Sequence, residues 1–268
     1  MKNLLFYFLF IFTFSLFSQE IKQDTTRIQN LEEVIISSIR VKQNAPIAFT
    51  NVSKDESGKK NLGQDLPILL NSLTSVVTTS DAGAGVGYTG IRIRGINAQS
   101  TNITINGIPY NDAESLGTFW VDLPDFASSV ENLQLQRGVG TSTNGSGAFG
   151  ASINILTNLI SKTPYFENSN SIGSYNTTKN TFKFSTGILN DSFEFSGRLS
   201  KIDSDGYIDR SSSDLKSYFL QVNYKKENTL IKALSFGGHE ITYQAWNGID
   251  EETLQSDRTY NPSGMYID

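Results

Sequence analysis

The side chains that most often carry out chemistry are scarce in this chain of 268 residues. His239 is the only histidine, and there is no cysteine. A histidine-based catalytic triad, a multi-histidine zinc site and a cysteine nucleophile are therefore excluded within these residues. His239 stands between Gly238 and Glu240 in a strand-like segment, where a polar residue lining an interior is a better interpretation than a metal ligand. The sequence predicts no enzyme, no metal site and no cofactor.

Acidic residues are the remaining candidates for holding an ion. They gather in two polar segments, one from Asp203 to Asp214 and one that contains Asp250, Glu251 and Glu252. Neither segment has the spacing of an EF-hand calcium loop. We interpret both as solvated loop charge.

A glycine-rich segment, residues 81–90, could in principle cradle a phosphate. No Gly-Lys-Ser/Thr follows it, however, and no strand-to-helix pattern surrounds it. The net charge of the chain is −5, whereas nucleic-acid binding needs a basic face. Neither a nucleotide nor a nucleic acid is therefore expected as a ligand.

The loop from Tyr110 to Trp120 mixes aromatic, amide and carboxylate side chains, including Glu114. This composition suits contact with a small ligand. Packing into a core is the alternative for the two aromatic residues at its end. Core packing and ligand contact are equally good interpretations for Trp120, and core packing is the better one for Phe119.

Tight turns and short elements must position these residues. Asn106-Gly107 lies between two β-prone runs and predicts a type I′ hairpin, because both residues accept a positive φ. Asp65 before Leu66-Pro67 predicts the start of a helix, with the carboxylate of Asp65 as the N-cap acceptor. The helix would bury one stripe of leucines at helical spacing, namely Leu66, Leu69, Leu70 and Leu73.

Two further local patterns predict the ends of short elements. Asp125 is expected to cap a short helix from Phe126 to Val130. Val52 to Asp55 suggests the end of a strand and a turn. Both predictions depend on neighbouring residues alone.

Four blocks between Ile91 and Thr157 follow one another in an order typical of a known family. They are Arg94-Gly95, the hairpin that ends Asn106-Gly107-Ile108-Pro109, the strand Asn132-Leu133-Gln134-Leu135-Gln136-Arg137-Gly138, and the run Gly145-Ser146-Gly147-Ala148-Phe149-Gly150 that leads into Ser152-Ile153-Asn154-Ile155. This order resembles the plug domain of TonB-dependent outer-membrane receptors. The family usually has Asp-Gly in the hairpin, and the asparagine found here leaves the turn physics unchanged.

The resemblance implies structural roles in the plug for Arg94, Gly95, Asn106, Gly107, Pro109, Arg137, Gly138, Gly147 and Gly150. Arg94 and Arg137 are expected to hold the plug by charge-assisted hydrogen bonds to carboxylates of the barrel wall or to plug carbonyls. Each of them precedes a glycine at a sharp bend of the chain.

The resemblance also implies that the plug loops rise to an outer vestibule. Gln99, Tyr110 and Trp120 are therefore expected to contact the cargo, because they offer neutral donors, acceptors and aromatic faces. Glu114 of the same loop is a fourth expected ligand contact, and it is expected not to bind a metal directly.

The N-terminal residues have the pattern of a targeting segment. Lys2 precedes a mostly apolar run, Leu4 to Phe17, that is shorter than the roughly 20 residues of a transmembrane helix. Residues 1–18 are therefore predicted to be a signal peptide cleaved after Ser18, with a buried helix as the alternative.

Residues 19–43 are predicted to form a periplasmic arm. It contains a β-prone segment that, by the resemblance, is the TonB box: Leu31, Glu32, Glu33, Val34, Ile35, Ile36 and Ser37. Such a segment would bind TonB by adding a strand to the edge of its sheet. An ordinary strand is the alternative interpretation.

Beyond the plug-like region, segments of about ten residues alternate in polarity, which is typical of transmembrane barrel strands. Five strands are expected, at Asn168–Tyr175, Thr178–Leu189, Ser192–Ile202, Leu215–Lys225 and Thr229–Tyr243. Apolar residues such as Phe195, Leu234 and Phe236 are expected to face lipid. Their neighbours, such as Arg198 and Ser235, are expected to face the lumen.

The sequence thus predicts an α+β plug domain over residues 44–162, followed over residues 163–268 by the first strands of an antiparallel transmembrane β-barrel that is incomplete in this chain. Five strands cannot close a barrel, and an open edge leaves backbone groups unpaired in lipid. We therefore expect the chain to be an N-terminal fragment of a longer protein or a truncated gene product.

The resemblance implies a monomeric receptor in the outer membrane of a Gram-negative-type envelope, in contact with outer-membrane lipid. Driven by TonB, it would import a small metal chelate or another scarce nutrient, with ferric siderophores or cobalamin favoured. A passive porin-like channel is an alternative, although such a pore needs no folded N-terminal domain. A glycan importer of the same family is another, but only about a dozen residues separate the predicted cleavage site from the TonB box.

Overall fold

The computed structural model of the protein describes residues 40–42, 44–139 and 148–263. The predicted signal peptide, nearly all of the predicted arm with its TonB box, and Gly147 lie outside the described residues. All described residues belong to one compact unit. In these ranges no helix has the length and apolar character needed to cross a membrane.

The N-terminal sheet has five strands in the spatial order β1-β6-β7-β4-β5. The strands are β1 (Phe49–Ser53), β4 (Thr101–Ile105), β5 (Ile108–Pro109), β6 (Val130–Arg137) and β7 (Ala151–Thr157). Only the β4–β7 pair is parallel. A separate antiparallel pair consists of β2 (Val76–Ser80) and β3 (Thr89–Ile93).

Short helices connect these strands. They are α1 (Lys54–Lys60), α2 (Leu66–Leu69) and three 3-10 helices at Ala98–Ser100, Trp120–Asp122 and Phe126–Ser129. Helix α2 begins where the sequence predicted, and its leucines are buried. The side chain of Asp65 makes no capping hydrogen bond, however. It is buried, and it accepts a hydrogen bond from the Thr89 hydroxyl at 2.9 Å.

The predicted hairpin is present between β4 and β5. Asn106 has a φ of 51° and Gly107 a φ of 85°, as a type I′ turn requires. The Asn106 amide donates to the Thr157 hydroxyl at 2.9 Å and accepts from the Thr157 backbone N–H at 3.0 Å. An aspartate could not donate the first of these bonds, which accounts for asparagine at this turn.

The second sheet has five antiparallel strands in sequential order, and it confirms the predicted number. They are β8 (Tyr165–Ile172), β9 (Thr178–Ser185), β10 (Phe193–Ser204), β11 (Ser213–Lys226) and β12 (Thr229–Thr242). Strand β8 begins earlier than predicted and ends at Ile172, because Tyr175 and Asn176 adopt positive φ values in the turn that follows. The sheet does not close into a barrel within the described residues.

One face of the second sheet covers the N-terminal sheet, and in β12 this changes the predicted orientation. Phe219 of β11 is buried and is paired with Phe236, so Phe236 and Leu234 also face inward against the core. Ser235 and His239 face outward and are exposed. The predicted orientations of these four β12 residues were wrong, because the wall must be apolar where the core packs against it.

Helix α3 (Glu251–Ser256) follows β12 in a segment that the sequence analysis took for solvated loop charge. Asp250 is its N-cap and accepts a hydrogen bond from the Thr253 N–H at 2.7 Å. Glu251 and Glu252 lie in the first turn, where negative charge interacts favourably with the helix dipole. These acidic residues therefore begin a helix.

Candidate functional site

The contact between the N-terminal sheet and the second sheet is centred on Asp125. Its backbone is left-handed, with φ of 52° and ψ of 25°. Such a conformation is uncommon for a residue other than glycine and often marks a functional constraint. Asp125 precedes the 3-10 helix Phe126–Ser129, but its side chain does not cap that helix as predicted. It points instead into the second sheet.

Two cations of the second sheet bind the Asp125 carboxylate. The Nζ atom of Lys179 lies 2.9 Å from Oδ1, and the Nη1 atom of Arg198 lies 3.3 Å from Oδ2. The three side chains are at most 3% exposed. We call these three residues the Asp125 cluster. The hydroxyl groups of Ser128, Thr181 and Ser200 and the side-chain amide of Asn61 also donate hydrogen bonds to the carboxylate.

The electrostatics of the cluster favour an ionised carboxylate. Burial alone would raise the pKa of Asp125, but the charges of Arg198 and Lys179, together with the hydroxyl donors, hold it below its ordinary value. The carboxylate belongs to the N-terminal region and the cations to the second sheet. This polarity is the reverse of one of the two expected arrangements, in which arginines of the plug would meet carboxylates of the wall. The other expected arrangement, a hydrogen bond to a plug carbonyl, is found for Arg137.

The two arginines of that expectation lie elsewhere. Arg137 is nearly buried; its Nε donates to the Thr74 carbonyl and its Nη2 to the Thr50 hydroxyl, each at 2.9 Å. Arg94 has a φ of 55° and is exposed. Its Nη1 lies so close to Gly138 that a Cβ there would be 3.0 Å away. Neither arginine forms an ion pair with a second-sheet carboxylate among the described residues.

We expect the two arginines to differ in their contribution to stability. Arg137→Ala should lower the free energy of unfolding by about 1–3 kcal/mol, because the Thr74 carbonyl and the Thr50 hydroxyl lose a charged donor. Arg94→Ala is the matched control and should change little, since that side chain is exposed. Chemical denaturation of the full-length protein measures both. Equal destabilisation by the two substitutions would contradict these roles.

The predicted structural glycines occupy positions that need glycine. Gly95 and Gly138 have φ values of 78° and 88°. A Cβ on Gly150 would lie 2.5 Å from the Cγ2 atom of Ile96, so the close packing of this turn excludes a side chain. Pro109 lies in β5, paired with Thr104.

The four predicted ligand residues differ in their environments. Gln99 is exposed on the 3-10 helix Ala98–Ser100, and Glu114 is exposed in its own loop. Tyr110 is half-buried, with its ring centroid 6.1 Å from that of Phe236.

Trp120, the fourth predicted ligand residue, is only 3% exposed and belongs to the hydrophobic core. It is not accessible to a ligand in this structure. Its neighbour Phe119, expected in the core, is 53% exposed. Trp120 therefore has the core packing that was one of its two interpretations, whereas the expectation of core packing for Phe119 was wrong.

A pocket of about 450 Å³ opens beside Phe119. We call it the outer pocket, because it lies near the end of β12 where the long connections of the second sheet are found. Its lining residues are Asp81, Tyr88, Phe119, Val121, Asp122, Glu240 and Trp246. No sequence motif indicates this pocket, because three separate segments supply its lining residues.

The glycine-rich segment contributes to this pocket and does not form a phosphate cradle. The Asp81 N–H donates to the Tyr88 carbonyl at 3.0 Å, which closes the loop. The Gly85 N–H is already bound to the Ser80 hydroxyl at 2.8 Å. Asp81 and Tyr88, a carboxylate and an aromatic residue at the two ends of the loop, are the local sequence features that could have indicated this site.

Comparison with known proteins agrees with this architecture. A family model described as "TonB-dependent Receptor Plug Domain" matches residues 41–152. The chain is 29% identical over 199 residues to the "Vitamin B12 transporter BtuB" of Vibrio vulnificus, covering 72% of this chain and 30% of that protein. It is 23% identical over 258 residues to the "Probable TonB-dependent siderophore receptor PirA" of Acinetobacter baumannii, covering 87% of this chain and 32% of that protein.

Solved structures show the same fold. The crystal structure of PirA from Acinetobacter baumannii has a TM-score of 0.55 at 18% identity, over 78% of this chain and 33% of that one. The "Copper transporter OprC" has a TM-score of 0.61 at 16% identity, over 72% and 31%. Residues 41–152 thus match the plug domain of TonB-dependent receptors, and antiparallel strands follow them. The chain spans about a third of the length of the curated relatives that it matches.

Proposed function

We propose that the protein imports a nutrient complex across an outer membrane and that TonB supplies the force that displaces the plug. The Asp125 cluster is the observation that carries this proposal, because Lys179 and Arg198 of the second sheet hold Asp125 of the plug by buried ion pairs. Such a contact seats the plug firmly without continuous backbone pairing. A passive diffusion channel would need neither the plug nor this contact.

The outward face of the second sheet supports a place in the membrane. Its exposed apolar residues include Phe166, Phe193, Phe195, Leu199, Val222 and Ile231. A large exposed apolar face marks contact with a membrane or a partner, and alternation of outward apolar with inward polar residues is typical of barrel strands. We propose that this face contacts outer-membrane lipid in a monomeric receptor.

The names of the relatives support a metal-containing cargo. One is called a vitamin B12 transporter, another a siderophore receptor and a third a copper transporter. We therefore propose a ferric siderophore or a cobalamin as the class of cargo.

The start of the described chain indicates how a pull from TonB would reach the plug. The Val41 N–H donates to the Gln134 side chain at 2.8 Å, and the Gln134 amide donates back to the Val41 carbonyl at 3.2 Å. Arg40 donates to the Asn154 carbonyl at 2.9 Å. A force on the preceding segment would therefore act directly on β6 and β7.

Proline within the proposed TonB box should abolish uptake and leave ligand binding unchanged. Val34→Pro removes a backbone donor and fixes φ, which prevents strand addition to TonB. Uptake of radioiron-labelled ferric trihydroxamate and radiocobalt-labelled cobalamin is measured in cells with and without TonB. Thr26→Pro, ahead of the box, is the control and should import normally. Wild-type uptake by the Val34→Pro protein would disprove the assignment of the box.

A further inference from the structure

The outer pocket is acidic, because Asp81, Asp122 and Glu240 are the charged side chains among the described residues that line it. No hydrogen bond or ion pair of these three carboxylates is found among the described residues, and the buried Oε2 atom of Glu240 has no partner. On the second sheet, by contrast, the carboxylate of Asp203 lies 2.6 Å from the Nζ atom of Lys201. Within the described part of the chain, the carboxylates of the outer pocket are thus left without a polar partner.

Burial acts against the ionised form of these groups. It raises the pKa of Asp81 and of Asp122. Behind Glu240, the pKa of the buried Asp65 carboxyl lies well above its ordinary value, because of burial and also because of the charge of Glu240. A positive charge in the pocket would offset this accumulation of carboxylates.

Aromatic rings form the remaining walls. The rings of Tyr88 and Trp246 meet edge to face, with centroids 5.4 Å apart. Trp246 is 55% and Phe119 is 53% exposed. Aromatic faces attract organic cations, and the attraction grows when the site is partly shielded from water.

The arrangement does not suit a bare metal ion. In the part of the chain that the structure describes, no three acidic or histidine side chains lie close enough together to ligate one. The volume of about 450 Å³ is that of a site for a small organic molecule. The carboxylates can therefore attract positively charged groups on separate parts of one organic ligand.

We propose that the outer pocket binds the positively charged organic part of the cargo, an ammonium or guanidinium group carried by a metal chelate. This inference rests on the proposed import function. Such a pocket would distinguish iron complexes by their charge, because its three carboxylates would repel a polyanionic chelate and attract a cationic one.

Three ferric chelates test the inference on the purified full-length protein by isothermal titration calorimetry. They are a trihydroxamate with a free ammonium group, the same chelate with that amine acetylated, and a trianionic tricatecholate. The first two share one iron coordination sphere and differ only in the charged group. We expect the cationic chelate to bind about ten-fold more tightly than its acetylated form, and the tricatecholate to bind most weakly.

Neutralisation of the pocket should remove this preference. In the double variant Asp122→Asn with Glu240→Gln, the two trihydroxamates should bind equally. Asp55→Asn, an exposed carboxylate on α1, is the control and should keep the ten-fold ratio. Equal or reversed affinities in the wild-type protein, an unchanged ratio in the double variant, or binding of none of the three chelates would overturn the inference.

These outcomes are distinct from a failure of the proposed function. Charge-selective binding without TonB-dependent uptake would refute the import function and leave the pocket assignment standing. TonB-dependent uptake of a polyanionic chelate, without any preference for a cation, would refute the pocket assignment alone.

Discussion

Asp125→Asn is expected to lower the free energy of unfolding of the full-length protein by about 3–5 kcal/mol, the usual cost of breaking a buried ion pair from one side. The substitution keeps the shape of the side chain but removes the only negative charge of the Asp125 cluster. Lys179 and Arg198 would then remain buried at 3% and 2% side-chain exposure without a counter-charge. The asparagine amide would also place hydrogen atoms towards one of these cations.

Because the cluster joins the plug to the second sheet, the same substitution should loosen the plug. Chemical denaturation measures the stability, and ion conductance across a planar lipid bilayer measures the leak. Asp55→Asn on α1 removes an exposed carboxylate from the same domain and should leave both quantities unchanged. Wild-type stability and conductance in the Asp125→Asn protein would show that the cluster does not hold the plug.

The pH dependence of this effect has a defined sign. The folded pKa of Asp125 lies below its ordinary value, so its contribution to stability is fully present above the unfolded pKa of about 3.9. The contribution is lost as the pH falls through the folded pKa. The difference between wild type and Asp125→Asn should therefore be constant from about pH 5 to 8 and shrink only below about pH 4.

The features that the sequence predicted correctly depend on neighbouring residues. Asn106 and Gly107 are residue types that favour positive φ values, and they adopt them in the hairpin. The five strands of the second sheet follow from alternation and from their turns. Even the missed helix α1 had a local indication, because Ser53 and Glu56 form a capping box at its start.

The features that the sequence analysis missed depend on contacts between distant residues. Strand β12 alternates in polarity as a barrel strand should, but alternation alone does not say which set faces inward. That choice follows from Phe126, whose ring lies 5.4 Å from that of Phe236. In the same way, no local pattern connects Asp125 with Lys179 and Arg198, which lie on two later strands.

The outer pocket is the clearest example of this limit. Asp81 and Tyr88 come from one loop, Asp122 from a 3-10 helix and Glu240 from β12. A motif search cannot join segments that meet only after the plug packs against the second sheet. By composition, Tyr110 and Trp120 are as suitable for ligand contact as the residues that line the outer pocket. In the structure, however, Trp120 is buried in the core and Tyr110 is half-buried.

A second large effect is expected from Phe126→Ala, because this ring of the plug packs against two rings of the second sheet. Phe126 is 2% exposed. Its centroid lies 6.1 Å from that of Phe219 and 5.4 Å from that of Phe236, both edge to face. Removal of a buried phenylalanine ring costs about 3–5 kcal/mol, because apolar contact is lost and a cavity remains.

Phe149→Ala is the matched control, since it makes the same substitution in the same domain at a ring that is 65% exposed. It should change the stability little. Chemical denaturation of the full-length protein compares the two variants, and a double-mutant cycle of Phe126→Ala with Phe236→Ala isolates the contact between plug and wall. We expect a coupling energy of about 0.5–1.5 kcal/mol, as for other edge-to-face pairs. If the two substitutions were additive, Phe126 would stabilise the plug core alone, and the Asp125 cluster would have to hold the plug without help from the aromatic contact.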